Sequence, residues 1–327
     1  MAEAPEHNLA FDLARVTETA AIGAARWQGR GDKEAVDQAA VDGMRLILST
    51  CEIDGAIVIG EGEKDHAPML YNGESVGTGR GPAVDVAVDP VDGTTITSEG
   101  ALGAIAVIAL AERGSMYAPG SVVYMDKLAV GPEAAGTVDI EAPVEHNLKQ
   151  VAQAVRKDVE DLTALILKRP RNEPHIEACR EAGARVRLIR DGDVAGAIAT
   201  AQQHTGIDIM LGIGGSPEAV IAAGALACLR GEIQAKLWPR DETEQRYAVE
   251  AGLDLSQVLT IRDLVDSDNV FFAATGVTDS ELLDGVRFFG DGARTHTLIM
   301  RSKTGTIRFV NSTHDLARLR EISALLD

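Results

Sequence analysis

The stretch Val86-Ala87-Val88-Asp89-Pro90-Val91-Asp92-Gly93-Thr94-Thr95 decides how this chain is read. Asp85 to Val88 alternates as a half-buried β-strand does. Pro90 and the Asp92-Gly93 pair predict a sharp stop to that strand and a turn. Asp89 and Asp92 are then held at a strand end, at a spacing that suits hard cations, which take oxygen ligands. Thr94 follows with a hydroxyl placed to orient a water. Asp-Pro-x-Asp-Gly is also ordinary turn chemistry. The site reading gains weight because other carboxylates fall in similar strand-end and loop settings.

Glu61 is one of them. Gly60 and Gly62 flank it after a predicted strand at 56–59, so the backbone can turn tightly and bring that carboxylate to a neighbour. A solvated acidic turn, with Lys64 and Asp65 close by, is the plain alternative. Asp37 stands on a predicted helix from about 34 to 50, four residues after Lys33; exposure is the common fate of such a carboxylate. Asp32 just before it suits a helix N-cap. Glu218 follows Gly214-Gly215-Ser216-Pro217, where a predicted strand meets a helix. Pro and Glu there are ordinary helix-start signals, yet α/β sheets also place ligands at the carboxyl ends of strands. The third glycine of a dinucleotide fingerprint is missing, which argues against NAD.

Arg169-Pro170-Arg171 follows another strand end, and arginine grips phosphate through a bidentate fork; two surface arginines around a loop proline fit the same residues. Asp191-Gly192-Asp193 can accept hydrogen bonds from sugar hydroxyls, or N-cap a helix beginning at Val194. Tyr124 presents a phenol to a phosphate or hydroxyl, or fills a core.

Along the chain, helices are predicted at about 8–27 and 34–50, then strands at 56–59, 84–88, 104–111 and 122–130. This antiparallel-looking run fronted by two helices predicts an α+β lobe over residues 1–157. Strands at 163–167, 185–189 and 207–211 alternate with helices at 173–182, 194–202 and 217–229. That rhythm predicts an α/β lobe with a largely parallel sheet over residues 158–327. A strand-rich stretch at 270–275 and 298–310 fits either lobe.

With 327 residues and 45% hydrophobic content, the chain has ample material for two packed lobes or one large domain. Aromatics at 4% argue against base stacking, and a net charge of −19 argues against nucleic acid. A phosphorylated substrate stays open, because a local basic pocket with bound divalent cations reverses the field where it matters. Three scattered cysteines and no zinc-type histidine spacing point away from disulfides and thiolate or zinc sites, and toward a reducing cytoplasm. The acidic N-terminus lacks a signal pattern. Met210 to Leu229 approaches a membrane span in length, but Ser216, Pro217 and Glu218 interrupt it. A strand, a glycine turn and a buried helix are predicted there, with no membrane partner.

Several segments together carry a resemblance. They are G-R-G-D-K (Gly29 to Lys33), I-V-I-G-E-G-E-K-D (Ile57 to Asp65), A-P-M-L-Y (Ala67 to Tyr71), V-D-P-V-D-G-T (Val88 to Thr94), Y-M-D-K-L (Tyr124 to Leu128), R-P-R (Arg169 to Arg171), D-G-D-V-A (Asp191 to Ala195) and G-I-G-G-S-P-E (Gly212 to Glu218). In this order they resemble the class II, GlpX-type fructose-1,6-bisphosphatases, within the lithium-sensitive sugar and inositol phosphatase superfamily.

The resemblance implies a layered αβαβα fold and a gluconeogenic hydrolase that removes the 1-phosphate of fructose 1,6-bisphosphate. It implies Asp37, Glu61, Asp89, Asp92 and Glu218 as ligands of two or more Mn²⁺ or Mg²⁺ ions. Thr94, with Asp65, would orient the attacking water, and Lys33 would balance charge. Substrate contacts would come from Asp92, Gly93, Thr94, Tyr124, Arg169, Pro170, Arg171, Asp191, Gly192, Asp193 and Gly215. The family often has Lys in place of Arg169, so phosphate recognition there differs in geometry. A cytoplasmic homo-oligomer, dimer or tetramer, is implied as well. Sedoheptulose 1,7-bisphosphate or inositol phosphate are rival substrates, and a sugar-phosphate-binding regulator is the non-enzymatic rival.

Overall fold

The computed structural model describes residues 9–62, 69–120 and 122–323. The chain divides into two compact units, Met1–Gly114 with Asp268–Asp327, and Ser115–Ser267. In order, α1 (Leu9–Ala25) and α2 (Lys33–Leu48) precede β1 (Asp54–Ile59), β2 (Ser75–Val76), β3 (Ala83–Asp92), α3 (Thr94–Ser98) and β4 (Ile105–Glu112). Next come β5 (Tyr124–Val130), α4 (Val144–Val155), β6 (Thr163–Leu167), α5 (Glu173–Glu181), β7 (Arg185–Ile189) and α6 (Asp193–Ala199). They are followed by β8 (Ile209–Gly215), α7 (Ser216–Leu229), β9 (Glu232–Leu237), α8 (Glu242–Glu250) and α9 (Ile261–Leu264). The chain closes with β10 (Phe271–Gly276), β11 (Arg287–Phe289), β12 (Gly292–Arg301), β13 (Thr306–Asp315) and α10 (Leu316–Ser323).

The first unit is built on a sheet of order β11-β12-β10-β4-β3-β1-β2, with β13 also paired to β12. The apolar stripe of α1 (Leu13, Val16, Ala20, Ala24) packs into one core with Ile108, Ala273 and Ile299. α1 and α2 approach so closely that a Cβ on Gly23 would lie 2.4 Å from the Ala39 carbonyl oxygen, and one on Gly43 2.9 Å from that of Thr19. Asp32 caps α2 as its position in the sequence predicts, accepting from the Ala35 N–H at 3.0 Å.

Several sequence expectations change here. β1 pairs with β3 in parallel, not antiparallel, and β5 belongs to the other unit's sheet. The C-terminal strands return to the first unit, since β10 pairs antiparallel with β4 and β12 antiparallel with β10. The compact units therefore divide near residues 114 and 267 rather than near 157. Strand β3 also does not stop at Pro90; it runs on to Asp92 through a register shift.

The second unit holds a sheet of order β7-β6-β8-β5-β9. β6, β7 and β8 are parallel as predicted, but β5 and β9 are antiparallel, so the sheet is mixed. Both units thus pair helices with a mixed sheet: the first, mostly antiparallel, is α+β as predicted, and the second, with three parallel strands, is α/β. Residues 210–229 form most of β8 and the mostly buried α7, and no helix among the described residues is long and apolar enough to cross a membrane. The three cysteines are free and buried, where they pack as small hydrophobes.

Ile299, fully buried on β12 against the α1 core, reports on that C-terminal return. Ile299→Ala should cost about 2–5 kcal/mol of unfolding free energy in a urea titration. A loss well below 1 kcal/mol would remove β12 from this core.

Candidate active site

In the first unit the acidic residues are set by strand register. β3 places Asp89 opposite Val107 and Asp92 opposite Ile105, so three steps on β3 face two on β4. This β-bulge is compatible with Pro90, which has no N–H to donate to a ladder. It matters for chemistry, because residues three apart on a regular strand point to opposite faces. Val107 and Ile105 are two apart and share a face, so the bulge brings Asp89 and Asp92 to one face as well. Asp92 is buried, and Asp89 accepts from the Val91 N–H at 3.0 Å.

Gly93 then turns with φ +116°, a conformation that disfavours any side chain. Thr94 opens the short α3, and its Oγ1 donates to the Val91 carbonyl at 3.1 Å. With its one proton committed, that hydroxyl has only acceptor capacity left, which is what is needed to take a proton-bearing water.

β1 and β3 run parallel with Ile59 beside Ala87, and Glu61 follows Ile59 by two residues as Asp89 follows Ala87. Gly60 is required at that exit, since a Cβ there would meet the Leu70 carbonyl oxygen at 2.0 Å. Burial pushes the Glu61 carboxyl up to about 7, and the neighbouring Asp37 adds to the shift. Asp37, on α2, is itself raised by burial, partly offset by Lys33 one helical turn before it. Two carboxylates withdrawn from water, one of them raised further by the other, mark a place that favours a cation. Among the described residues no three carboxylate, histidine or cysteine side chains converge tightly enough to hold a metal ion. Asp65 lies outside the described residues. A cavity of 970 Å³ elsewhere in this unit, lined by Arg15, Glu18, Arg26, Arg45 and His314, contains none of the predicted residues.

In the second unit the predicted groups gather at the ends of β5, β6, β7 and β8. Arg171 lies over the Tyr124 ring, its Cζ 4.0 Å from the centroid, and its Nε donates to the Ile213 carbonyl at 3.1 Å. Arg169 approaches Asp191 at 3.8 Å. Gly192 (φ +84°) precedes α6, and Asp193 does not cap that helix: its Oδ2 instead takes the Lys127 ammonium at 2.5 Å. Glu218 lies in the first turn of α7, where its carboxyl is raised by burial and by Asp193 and eased by Lys127. Glu218 Oε2 and the neighbouring Ser216 Oγ are buried without a hydrogen-bond partner. Such orphaned acceptors at a helix start suit a cationic or hydrogen-bonding ligand.

The sequence left two residues unassigned. Asn172 is fully buried and accepts from the Ile213 N–H at 2.7 Å while donating to the Leu167 and Ile213 carbonyls. It ties the Arg-Pro-Arg turn to β8, against Gly212 at φ +116°. Lys127, the other, is among the largest fully buried side chains of the described residues. Only the motifs around them, R-P-R and Y-M-D-K, gave a hint.

The chain matches the family described as bacterial fructose-1,6-bisphosphatase, glpX-encoded, over residues 7–314. It is similar to "Fructose-1,6-bisphosphatase 1 class 2" of Escherichia coli (strain K12), 45% identical over 324 residues, spanning 95% of this chain and 96% of that protein. The same figures hold for "Fructose-1,6-bisphosphatase class 2" of Shigella flexneri.

Asn172→Ala strands buried backbone groups of Ile213 and Leu167, at about 1–3 kcal/mol for each group left unsatisfied. Melting temperature should fall clearly below that of the parent. An unchanged melting curve would mean that Asn172 does not hold this turn.

Proposed function

The chain belongs to the glpX-encoded bacterial fructose-1,6-bisphosphatases, and from that premise we propose how its residues divide the work. It hydrolyses fructose 1,6-bisphosphate to fructose 6-phosphate and phosphate, a gluconeogenic step, as a metal-dependent phosphatase. The observation that carries this activity is the family match, which spans residues 7–314 and so includes every residue assigned below.

Asp37, Glu61, Asp89, Asp92 and Glu218 would hold the divalent cations. An all-oxygen donor set favours Mn²⁺ or Mg²⁺ over zinc or copper. The fit is supported by the desolvated, mutually repelling Asp37 and Glu61 and by the unpartnered Oε2 of Glu218. When bound, such ions supply charge neutralisation for the phosphoryl oxygens and Lewis acidity toward water.

Thr94 accepts a hydrogen bond from the attacking water and so aims its lone pair at phosphorus, with Asp65 as the partner that takes up its proton. Lys33 moderates the negative charge around Asp37. Asp92 and Gly93 meet the substrate beside Thr94. Arg171 grips the non-reacting 6-phosphate. Its Nε is held by Ile213 and its plane lies on Tyr124, so the Nη donors are pre-organised for the bidentate contact. Arg169 with Pro170 shapes the same phosphate contact, while Asp191, Gly192, Asp193 and the Gly215 backbone receive the sugar hydroxyls. The enzyme works in the cytoplasm, consistent with three free cysteines. It assembles as a dimer or tetramer, for which Phe11 and Phe288 offer exposed apolar surface.

Chelation tests the metal assignment. Exhaustive EDTA treatment should abolish turnover, and Mn²⁺ or Mg²⁺ should restore it; robust activity without metal would refute the ligand set. Thr94→Ala should lower kcat by orders of magnitude with little change in substrate affinity. A loss expressed mainly in KM would make Thr94 a binding group.

Arg171→Ala addresses the substrate. It should cost about 10- to 100-fold in kcat/KM on fructose 1,6-bisphosphate, the worth of a charge-assisted hydrogen bond. Fructose 1-phosphate, which lacks the gripped phosphate, should hydrolyse poorly and almost equally in both proteins. Equal losses on both substrates with unchanged melting would put Arg171 at the reacting phosphate instead.

A further inference from the structure

Lysine is almost never fully buried unless it is paired. Lys127 is 2% exposed at the centre of β5, an interior strand between β8 and β9. Its Nζ donates to Asp193 Oδ2 at 2.5 Å and to the Gly215 carbonyl at 3.1 Å. One ammonium therefore joins three elements: β5, the first residue of α6 and the last of β8.

The glycines of β8 make room for this. A Cβ on Gly214 would lie 2.1 Å from Asp193 Oδ2 and 2.7 Å from Lys127 Nζ. A Cβ on Gly215 would lie 1.7 Å from Glu218 Oε2. The ion pair thus rests on one glycine and the Glu218 carboxylate on the next, with Lys127 within electrostatic reach of Glu218.

We propose that Lys127 is a positioning residue with two opposed effects: it fixes Asp193 and the Gly215 backbone for the substrate, and its charge weakens cation binding at Glu218. This rests on the reading of Asp193 as a sugar contact and of Glu218 as a metal ligand. Neither effect requires Lys127 to touch the reacting atoms. The opposition distinguishes the role from plain structural support, because a loosened fold weakens both kinds of binding together.

Lys127→Met keeps the unbranched chain, one atom shorter, and removes its charge. KM for fructose 1,6-bisphosphate should rise roughly 10-fold, since a charge-assisted anchor of Asp193 is lost, while kcat changes by less than about 3-fold. Calorimetric titration of EDTA-stripped protein with Mn²⁺ should show tighter binding, by roughly 3- to 10-fold, as like charge is withdrawn from beside a ligand. Weaker or unchanged Mn²⁺ binding in a folded Lys127→Met overturns the proposal, as does an unchanged KM.

Should that variant fail to fold, the double variant Lys127→Met/Asp193→Asn leaves neither member of the pair as a lone buried charge. Its Mn²⁺ affinity should still exceed that of Asp193→Asn alone; equality overturns the proposal. The underlying reading fails separately and visibly. Asp193→Asn with an unaltered KM would remove Asp193 from the sugar site, and Glu218→Gln with unaltered Mn²⁺ binding would remove Glu218 from the metal site.

Discussion

Between Asp89 and Asp92, β3 carries one residue more than the stretch of β4 it faces, and Pro90 sits inside that excess. Without it the two carboxylates would lie on opposite faces of the sheet. One would point into the α1 core or its opposite face alone, and the turn at Gly93 would present Thr94 on its own. The bulge therefore sets the geometry from which the first unit's chemistry follows. Parallel pairing sets the end of β1, and Glu61 two residues beyond it, on the strand that carries Asp89, and α2 adds Asp37 within electrostatic reach of Glu61. Each carboxylate is brought there by a backbone feature: a bulge, a glycine exit at Gly60, a capped helix.

Negative charge collected in this way is costly to keep out of water. In the first unit the cost shows as Glu61 and Asp37 both raised, with Lys33 only partly offsetting. In the second it is met differently, by an internal cation. Lys127 neutralises Asp193 through a buried pair, an arrangement that brings little net stability but fixes geometry sharply. Asn172 does for the Arg-Pro-Arg turn what Lys127 does for α6, using uncharged hydrogen bonds to β8. Both depend on β8 being Gly212-Ile213-Gly214-Gly215, because ordinary side chains would occupy the space these polar groups fill.

Local signals were legible in the sequence, and long-range pairing was not. The stripe Leu9, Leu13, Val16, Ala20 and Ala24, the cap at Asp32 and the β8-to-α7 step at Ser216 are encoded within one or two turns of chain. The parallel partnership of β1 with β3 and the return of β10 to β4 depend on strands distant in sequence, for which apolar alternation carries no address. Pro90 was read as a stop because proline breaks ladders, yet a bulge tolerates it. Candidate carboxylates announced themselves through glycine neighbours. Asn172 and Lys127 had no such signal, since a polar residue in an apolar run shows its partner only once the strands are assembled.

The chain's net charge of −19 and its doubly phosphorylated substrate are reconciled by distance. At physiological ionic strength the field of exposed carboxylates is screened within roughly 8 Å, so surface charge contributes little at a phosphate already docked. What counts is the immediate surroundings, and around Tyr124 guanidinium groups gather, Arg240 among them paired with Glu244. Arg171 lies 4.0 Å and Arg240 5.8 Å from its ring centroid, with Arg169 on the same turn as Arg171. Arg240 is held by Glu244 and Arg171 by the Ile213 carbonyl, so both guanidinium groups are ordered in advance, Arg171 for the phosphate contact proposed for it. Pre-ordered guanidinium groups lose less conformational entropy per contact than free ones. An acidic protein can therefore bind an anionic sugar without a basic surface, provided that a few arginines are fixed in place before the substrate comes.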